Sequence, residues 1–350
     1  MGSQNFVRNL GFGPKGYSHL NSGQNFNTIV VTGGSIDISK QHSKIQRLAR
    51  SDVPILKVGE NRSSLESLGQ ISNDFIDQKI NRLILIGGGS IIDYGKRIYI
   101  NLIKANPESH FELVVIPSRI GSGAESSMTS IVNSPDKKSI KVDSRFMPDT
   151  VIYDLDLFNT LGPSELYLAS LDAIAHLIES TNSFLSNSYV DFISNASLNR
   201  YINIAYDHDF DQPSKKLLTE LCLLSFNGGI AQNNAGAGLC HSLSHSAEKI
   251  LDISHVDAIN IFLLPSLNFM TKYYPSSFAL FDSGLIEEVK KYIDYYNSKI
   301  CYNSKKVTLS LEHLQKIIIL ATKDPCWKLM SQRVDQDSLL LYLKSNYETN

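Results

Sequence analysis

The sequence has no excess of charge of either sign and no long apolar run. Its 350 residues include 33 Lys and Arg against 35 Asp and Glu, so no basic surface is expected that would attract nucleic acid or an anionic membrane. No apolar run approaches the roughly 18 residues of a membrane-spanning helix, and the first residues lack the basic and apolar regions of a signal peptide. These absences predict a cytoplasmic protein with neither a nucleic-acid nor a membrane partner.

Cysteine is also scarce, and its positions form no pattern. Cys222, Cys240, Cys301 and Cys326 include no C-x-x-C pair, so free thiols are expected rather than disulfides in a chain of cytosolic character. Cys240 adjoins His241, but a helical neighbour points about 100° away from the histidine face. We therefore do not expect Cys240 to bind a metal together with His241.

The length of the chain and a change of pattern along it predict two domains. A chain of 350 residues exceeds the usual size of a single hydrophobic core. Up to residue 157, buried strands alternate with helices, as in a parallel sheet flanked by helices; the strands are 28–32, 53–58, 82–86, 113–116 and 150–154, and the helices 63–78 and 90–104. From residue 158 the pattern is helical, over 166–180, 189–206, 217–232, 239–251, 258–271, 284–295 and 311–322. We predict an α/β domain over residues 1–157 and an all-α domain over 158–350.

The strongest functional pattern is one aspartate and four histidines at helical spacing. Asp172 and His176 are four residues apart, so they lie on one face of a helix. His241 and His245 repeat this offset, and His255 follows ten residues later. One such pair alone is more often a core or surface feature than a ligand set. Two pairs and a fifth candidate favour a metal site, and imidazoles with one carboxylate suit Fe²⁺ or Zn²⁺ better than Mg²⁺ or Ca²⁺.

Two loops rich in glycine and hydroxyl groups follow predicted strands. The first, Gly87-Gly-Gly-Ser90, starts a helix, where glycines let a pyrophosphate approach the main chain and free N–H groups bind it. The second covers residues 117–127. Either loop alone could be a tight turn. Two such loops at strand ends of one sheet predict a nucleotide in the crevice beside them.

These motifs resemble those of the iron-containing, group III alcohol dehydrogenases, which share a fold with glycerol dehydrogenase and dehydroquinate synthase. Residues 87–96 are similar to the family's G-G-G-S-x-x-D-x-A-K, and residues 117–125 to its P-T-T-x-G-T-G-S-E. Residues 172–179 and the histidines within 241–255 resemble its metal-binding helices. The resemblance extends from about residue 10 to 280. It implies a dehydroquinate synthase-like fold, with an α/β dinucleotide-binding domain and an all-α metal-binding domain.

The resemblance also implies a role for each candidate residue. The metal ligands would be Asp172, His176, His241 and His255. The catalytic residues would be His245, as a proton relay beside the nicotinamide, and Asp93 and Lys138, near nicotinamide and substrate. The cofactor would contact Gly33, Gly34, Ser35, Gly87, Gly88, Gly89, Ser90, Asp93, Ser118, Gly121 and Ser122.

The implied reaction is the interconversion of an alcohol and an aldehyde or ketone. A divalent ion, iron or alternatively zinc, would act as a Lewis acid on the substrate oxygen while reduced nicotinamide delivers hydride. Two other functions fit the same residues: a lyase or cyclase like dehydroquinate synthase, which regenerates its cofactor, and a non-catalytic metal- and nucleotide-binding relative. We expect a homo-oligomer, a dimer, acting on a small-molecule alcohol or aldehyde.

The sequence departs from the family pattern near both the last histidine and the end of the chain. Val256 follows His255 where the family usually has glycine, so a different turn is expected there. The chain ends near residue 350, where many members continue. Residues 321–327 are similar to a compact branch of the family that includes an oxidase acting on the C8 alcohol of 3-deoxy-octulosonate.

The end of the first predicted strand bears on the choice of cofactor. Many NAD-dependent members of the family carry an aspartate there, which binds the ribose 2′-hydroxyl and would repel a 2′-phosphate. Here Gly33-Gly34-Ser35 stands in this place, and the next acid is Asp37. Backbone N–H groups, the Ser35 hydroxyl and Lys40 can bind a phosphate. We predict NADP(H) in preference to NAD(H); the alternative is that the glycines only form a tight turn and NAD binds.

Overall fold

The chain packs as two compact units, which divide between Thr160 and Leu161. The computed structural model describes residues 7–20, 26–34, 36–49, 52–59, 65–133, 138–206, 210–299 and 309–347. The first unit combines a parallel sheet with helices. Within the described residues, the second unit is helical apart from one isolated bridge between Ser183 and Met330. The predicted fold class, an α/β part followed by an all-α part, is confirmed.

The first unit is built on a six-stranded parallel sheet with the order β1-β8-β5-β4-β2-β3. Its strands are β1 Asn9–Phe12, β2 Thr28–Gly33, β3 Ile55–Val58, β4 Arg82–Gly87, β5 Glu112–Pro117 and β8 Thr150–Tyr153, and an antiparallel pair is formed by β6 Thr129–Asn133 and β7 Lys138–Val142. The helices are α1 Gly13–Gly16, α2 Ser39–Ala49, α3 Leu65–Asp77 and α4 Gly89–Ala105. Every residue of β4 and β5 is buried, because helices cover both faces of the sheet.

Alternate residues of the central strands pack against helices on opposite faces. Val31 and Leu85 belong to the core that α3 and α4 complete, whereas Val30 and Ile84 belong to the core that α2 completes. The neighbouring strands β2 and β4 are therefore followed by helices on opposite faces of the sheet. Such a reversal leaves a crevice at the carboxyl ends of the two strands, where nucleotides bind in open α/β sheets.

Several elements of the first unit differ from the prediction. The strand expected at 53–58 begins only at Ile55. Pro54 has no N–H group to donate to a sheet, and only its carbonyl pairs, with the N–H of Val30 at 3.0 Å. The sequence did not predict β1, α2 or the pair β6 and β7.

The second unit is a bundle of helices around a buried central helix. Its helices are α5 Pro163–Thr181, α6 Ser188–Ala205, α7 Lys215–Ala235, α8 Leu239–Leu251, α9 His255–Tyr273, α10 Leu285–Lys299, α11 Leu311–Ala321, α12 Pro325–Leu329 and α13 Gln336–Tyr347. From Leu166 to Thr181 every residue of α5 is buried, because α6, α7 and α9 pack around it. At Gly228 of α7 an added Cβ would lie 3.2 Å from the Ala173 carbonyl and 3.4 Å from the His176 Cβ. Glycine therefore lets α7 approach the part of α5 that carries the candidate ligands.

Membrane crossing and disulfide bonding can be assessed for the described residues. None of the helices in the described part of the chain combines the length and apolar character that a membrane crossing requires. Cys222, Cys240 and Cys326 form no disulfide, as expected, and Cys301 lies outside the described residues.

Candidate metal centre and nucleotide site

One carboxylate oxygen of the second unit lies close to three imidazole nitrogens. The Oδ1 atom of Asp172 is 3.6 Å from Nε2 of His176, its neighbour one turn along α5. It is 3.4 Å from Nε2 of His241 on α8 and 3.5 Å from Nε2 of His255, the first residue of α9. The four residues predicted as metal ligands are therefore brought together by three helices.

These distances and the burial of the cluster fit a divalent ion. Four donors at tetrahedral angles, each ~2.1 Å from a common centre, lie about 3.4 Å from one another. Asp172 Oδ1 and His241 Nε2 are buried, and neither has a hydrogen-bond partner within the described residues. Unpaired polar atoms cost free energy in a protein interior, and an ion bound between them would remove that cost.

The protonation of the cluster also favours a cation beside Asp172. Burial lowers the pKa of His176 to about 3, so this ring is neutral and can offer a lone pair to a metal. Burial opposes the charge on His241, but Glu179 and Asp172 outweigh it and raise its pKa to about 10. For Asp172, likewise, burial is outweighed by the neighbouring histidines, which hold its pKa well below the usual value. The site thus attracts positive charge, which a proton or a metal ion can supply.

Two further carboxylates, whose roles the sequence did not reveal, orient the histidine rings. Glu179 Oε2 lies 2.5 Å from Nδ1 of His241, and its other oxygen accepts the N–H of Cys240. Glu248 Oε1 lies 2.7 Å from Nδ1 of His255. Each contact occupies Nδ1 and leaves Nε2 facing Asp172, an arrangement that raises the basicity of a metal-binding imidazole.

Replacing Glu179 by glutamine is expected to weaken metal binding about 10- to 100-fold, because His241 loses the charged partner that fixes its ring. Glu165→Gln is the matched control, since Glu165 lies on the same helix and its carboxylate accepts the N–H of Gly162 at 3.0 Å, at the start of the helix and not beside a candidate ligand. Competition with a chelator of known affinity measures both variants. An unchanged metal affinity in Glu179→Gln would contradict an orienting role.

His245 lies next to the cluster but does not share the Asp172 oxygen with the other histidines. Its ring stacks on that of His255, with centroids 5.5 Å apart and an interplanar angle of 25°. Its Nδ1 is 3.1 Å from Oδ2 of Asp324, and 32% of its side chain is exposed. The geometry therefore distinguishes His245 from the four predicted ligands.

In the first unit, the glycine-rich segments lie at the carboxyl ends of adjacent strands. Thr32 of β2 pairs with Ile86 of β4, and Gly87 of β4 pairs with Pro117 of β5. The three segments predicted to contact the cofactor therefore meet at one edge of the sheet, beside the crevice between β2 and β4. Ser35 lies outside the described residues.

The backbone at these strand ends is partly available to a ligand. Gly88 caps α4 without a side-chain hydrogen bond, so the first N–H groups of α4 can bind an anion. The N–H of Gly34 donates to Val58 at 3.1 Å, and that of Ser118 donates to Gly87 at 2.9 Å. Gly34 and Ser118 would therefore contact a cofactor by close approach or, for Ser118, through its hydroxyl, and not through their N–H groups.

The second polar loop is held against α4 by a buried lysine. Lys96 Nζ donates to the carbonyls of Ala124 at 2.7 Å, Ser127 at 2.7 Å and Thr129 at 2.9 Å. Within this loop Gly121 has a φ of 113° and Gly123 one of 63°, conformations that favour glycine, and the Ser122 side chain is exposed. Lys96 belongs to the first motif, so it fixes the two predicted cofactor loops relative to each other.

Asp93 lies one turn into α4, and its carboxylate contacts the backbone of β6. Its Oδ2 accepts the N–H of Ile131 in β6 at 3.0 Å, and its Oδ1 is buried without a hydrogen-bond partner among the described residues. Burial raises the pKa of Asp93 to about 6, although Lys96 opposes the shift. The backbone of Lys138 lies in β7, but its side chain is outside the described part of the chain.

Comparison with known proteins places both units in one family. Residues 14–155 match the family model described as iron-containing alcohol dehydrogenase, and residues 167–298 match that of the C-terminal part of the Fe-containing alcohol dehydrogenase family. Together these matches cover more than half of the chain.

Curated relatives match over part of their length. A probable alcohol dehydrogenase EutG of Salmonella typhimurium is 25% identical over 205 residues, 53% of this chain and 50% of that protein. An NADPH-dependent butanol dehydrogenase of Clostridium saccharobutylicum is 26% identical over 212 residues, 54% of this chain and 53% of that protein. The chain thus spans about half the length of these relatives.

Solved structures share the fold over the whole chain. A sulfoacetaldehyde reductase from Bifidobacterium kashiwanohense in complex with NAD⁺ gives a TM-score of 0.82 at 17% identity, covering 100% of both chains. An iron-containing alcohol dehydrogenase from Thermococcus thioreducens gives 0.79 at 18% identity, covering 99% of both chains.

Proposed function

The chain belongs to the iron-containing alcohol dehydrogenase family, and on this premise we propose that it interconverts an alcohol and an aldehyde or ketone by NAD(P)-linked hydride transfer. The observation that carries the proposal is the Asp172 oxygen that lies 3.4 to 3.6 Å from three imidazole nitrogens. The names of the relatives support a small alcohol or aldehyde as substrate. Asp172, His176, His241 and His255 would hold the ion.

Each polar group of the site has a distinct task in this proposal. When bound, the ion supplies Lewis-acid stabilisation of negative charge on the substrate oxygen. Asp172 supplies the one negative charge among the four donors, and Glu179 and Glu248 keep two imidazoles turned toward it. His245 donates Nδ1–H to Asp324, which leaves its Nε2 to accept or release the proton of the alcohol, and its partial exposure lets that proton reach solvent.

His245→Ala is expected to retain the ion at the Asp172 cluster and to lower kcat by about 10²- to 10⁴-fold, the usual effect of losing a positioned proton-transfer group. Metal analysis and steady-state kinetics measure the two quantities separately. A small primary amine or imidazole added to the variant should restore part of kcat. Loss of the cluster's ion in this variant would instead make His245 a ligand.

For the cofactor we propose NADP(H) in preference to NAD(H). The strand β2 ends at Gly33 without an acid, and the Asp37 carboxylate is engaged at the start of α2, where it accepts the Ser39 N–H at 2.9 Å. The pKa of Asp37 is lowered first by this contact with Ser39 and then by the nearby Lys57 and Lys40. Lys57 is exposed on β3 opposite Thr32 of β2. Lys57 and Lys40 therefore place two positive charges near the end of β2, where a 2′-phosphate would lie.

Gly33→Asp is expected to shift the preference toward NADH, because a carboxylate there would accept the ribose 2′-hydroxyl and repel a 2′-phosphate. An added Cβ at Gly33 would lie 3.5 Å from the Ile91 side chain, an ordinary contact, so the fold should accept the change. Gly33→Asn separates charge from size. The ratio of kcat/KM for NADPH and NADH is the measurement; a wild-type ratio that favours NADH tenfold or more would show the proposed preference to be wrong.

A screen of aldehydes of increasing size and charge, each with NADH and with NADPH, tests the proposed function. Net oxidation of the reduced cofactor supports it. Consumption of substrate without net redox change would favour a lyase or cyclase, and binding alone would favour a non-catalytic relative.

The similarity of residues 321–327 to the branch with the 3-deoxy-octulosonate oxidase stays a hypothesis about the substrate, and the cytoplasmic location and the dimer stay predictions.

A further inference from the structure

A second group of metal-binding side chains lies beside the Asp172 cluster. His245, Asp324 and Cys326 each offer a donor atom, and these atoms lie within 4.8 Å of one another. None of the three belongs to the proposed ligand set of the main centre. They combine an imidazole, a carboxylate and a thiol, a donor set typical of zinc.

The three side chains are held in place by two packed helices. Asp324 caps α12: its Oδ1 accepts the N–H of Cys326 at 2.8 Å, while its Oδ2 lies 3.1 Å from Nδ1 of His245. His245 is carried by α8, against which α12 packs. The relative positions of the donors are thus set before any ion binds.

The group can also be reached from solvent. The exposed fraction of the side chain is 32% for His245 and 13% for Asp324. An ion can therefore enter from solvent and keep a water as its fourth ligand, as in open zinc sites.

We propose that His245, Asp324 and Cys326 bind a second divalent ion of the kind that prefers thiolate ligands, such as Zn²⁺. This ion inhibits turnover because it occupies His245. Binding replaces the thiol proton of Cys326, which leaves to solvent. The inhibition, but not the binding, rests on the proposed function.

Titration of the metal-free protein with Co²⁺ tests the binding, because cobalt bound to a thiolate absorbs in the near ultraviolet. The wild type should take up two equivalents and show this absorption, whereas Cys326→Ser should take up one and lack it. Cys222→Ser is the matched control, since Cys222 is a buried free cysteine on α7, a helix that carries none of the three donors, and it should behave as the wild type. Wild-type protein without thiolate absorption at two equivalents, or Cys326→Ser with unchanged absorption, would overturn the proposal.

Two measurements separate this site from the main centre. Asp172→Asn should keep the thiolate absorption even if its main centre no longer binds metal, so a failure of the proposed function leaves the second site testable. Excess Zn²⁺ should lower the turnover of the wild type at least tenfold more than that of Cys326→Ser. Equal inhibition of the two proteins would contradict the inhibitory role.

Discussion

His255→Ala is expected to remove most of the metal bound at the Asp172 cluster, iron in the proposed function, and to reduce the proposed alcohol dehydrogenase activity to the background. The variant deletes the Nε2 atom of His255, which lies 3.5 Å from Oδ1 of Asp172 and is one of the three Nε2 atoms around that oxygen. Metal affinity should fall by more than ~100-fold, the loss expected when a residue that only orients a ligand is removed. His255 is the better choice over His241, since 33% of its side chain is exposed whereas only 1% of the His241 side chain is. Truncation at the surface leaves a smaller cavity and less risk of unfolding.

Iron content per chain and kcat/KM, measured on the same preparation, decide this prediction. His245→Ala is the matched control, because it deletes a neighbouring imidazole, whose ring centroid lies 5.5 Å from that of His255, and should retain the iron. Helix content from circular dichroism shows that the fold persists. Full iron occupancy in His255→Ala would remove His255 from the ligand set.

Gly88→Glu is expected to weaken the binding of NAD(P)H at least about 100-fold, which corresponds to ~2.7 kcal/mol. Gly88 precedes the first turn of α4, so a carboxylate there would cover the N–H groups proposed to bind the pyrophosphate and repel its charge. The backbone at Gly88 has φ −80° and ψ −177°, and an added Cβ would lie 3.4 Å from the Arg119 side chain. The position therefore accepts a side chain, so the loss should come from the ligand and not from misfolding.

Gly88→Gln separates the effect of charge from that of bulk. It should bind NAD(P)H more weakly than the wild type but more tightly than Gly88→Glu. Quenching of protein fluorescence or calorimetry gives the dissociation constants. If Gly88→Glu bound NAD(P)H within threefold of the wild type, the pyrophosphate could not lie at the start of α4.

The elements that could be predicted from the sequence are those with strong local patterns. The strands β2, β4 and β5 are continuous apolar runs because they are buried on both faces, and α8 has the predicted bounds, 239–251. The strand β1 was missed because its four residues pair with β8, about 140 residues further along the chain. The pair β6 and β7 was missed because its two short strands form a separate two-stranded sheet, in which apolar residues such as Ile140 and Val142 stay exposed and add no buried run to the pattern.

Likewise, only part of the candidate metal centre could be predicted from the sequence. Helical spacing alone places Asp172 and His176 on one face of α5. The approach of His241 and His255 to the same oxygen depends on how three helices pack, which spacing does not specify. The carboxylate that holds His245 is 79 residues away in sequence, so Asp324 could be recognised only from the fold.

The proposed hydride transfer depends on a divalent ion held by the Asp172 cluster. The most direct test is the oxidation of NAD(P)H by an aldehyde, followed by absorbance, with protein stripped of metal by a chelator and then reloaded. We expect no turnover after stripping, and recovery with about one equivalent of Fe²⁺ per chain, the stoichiometry of a single four-ligand site. Full turnover by protein that elemental analysis shows to be free of metal would contradict it.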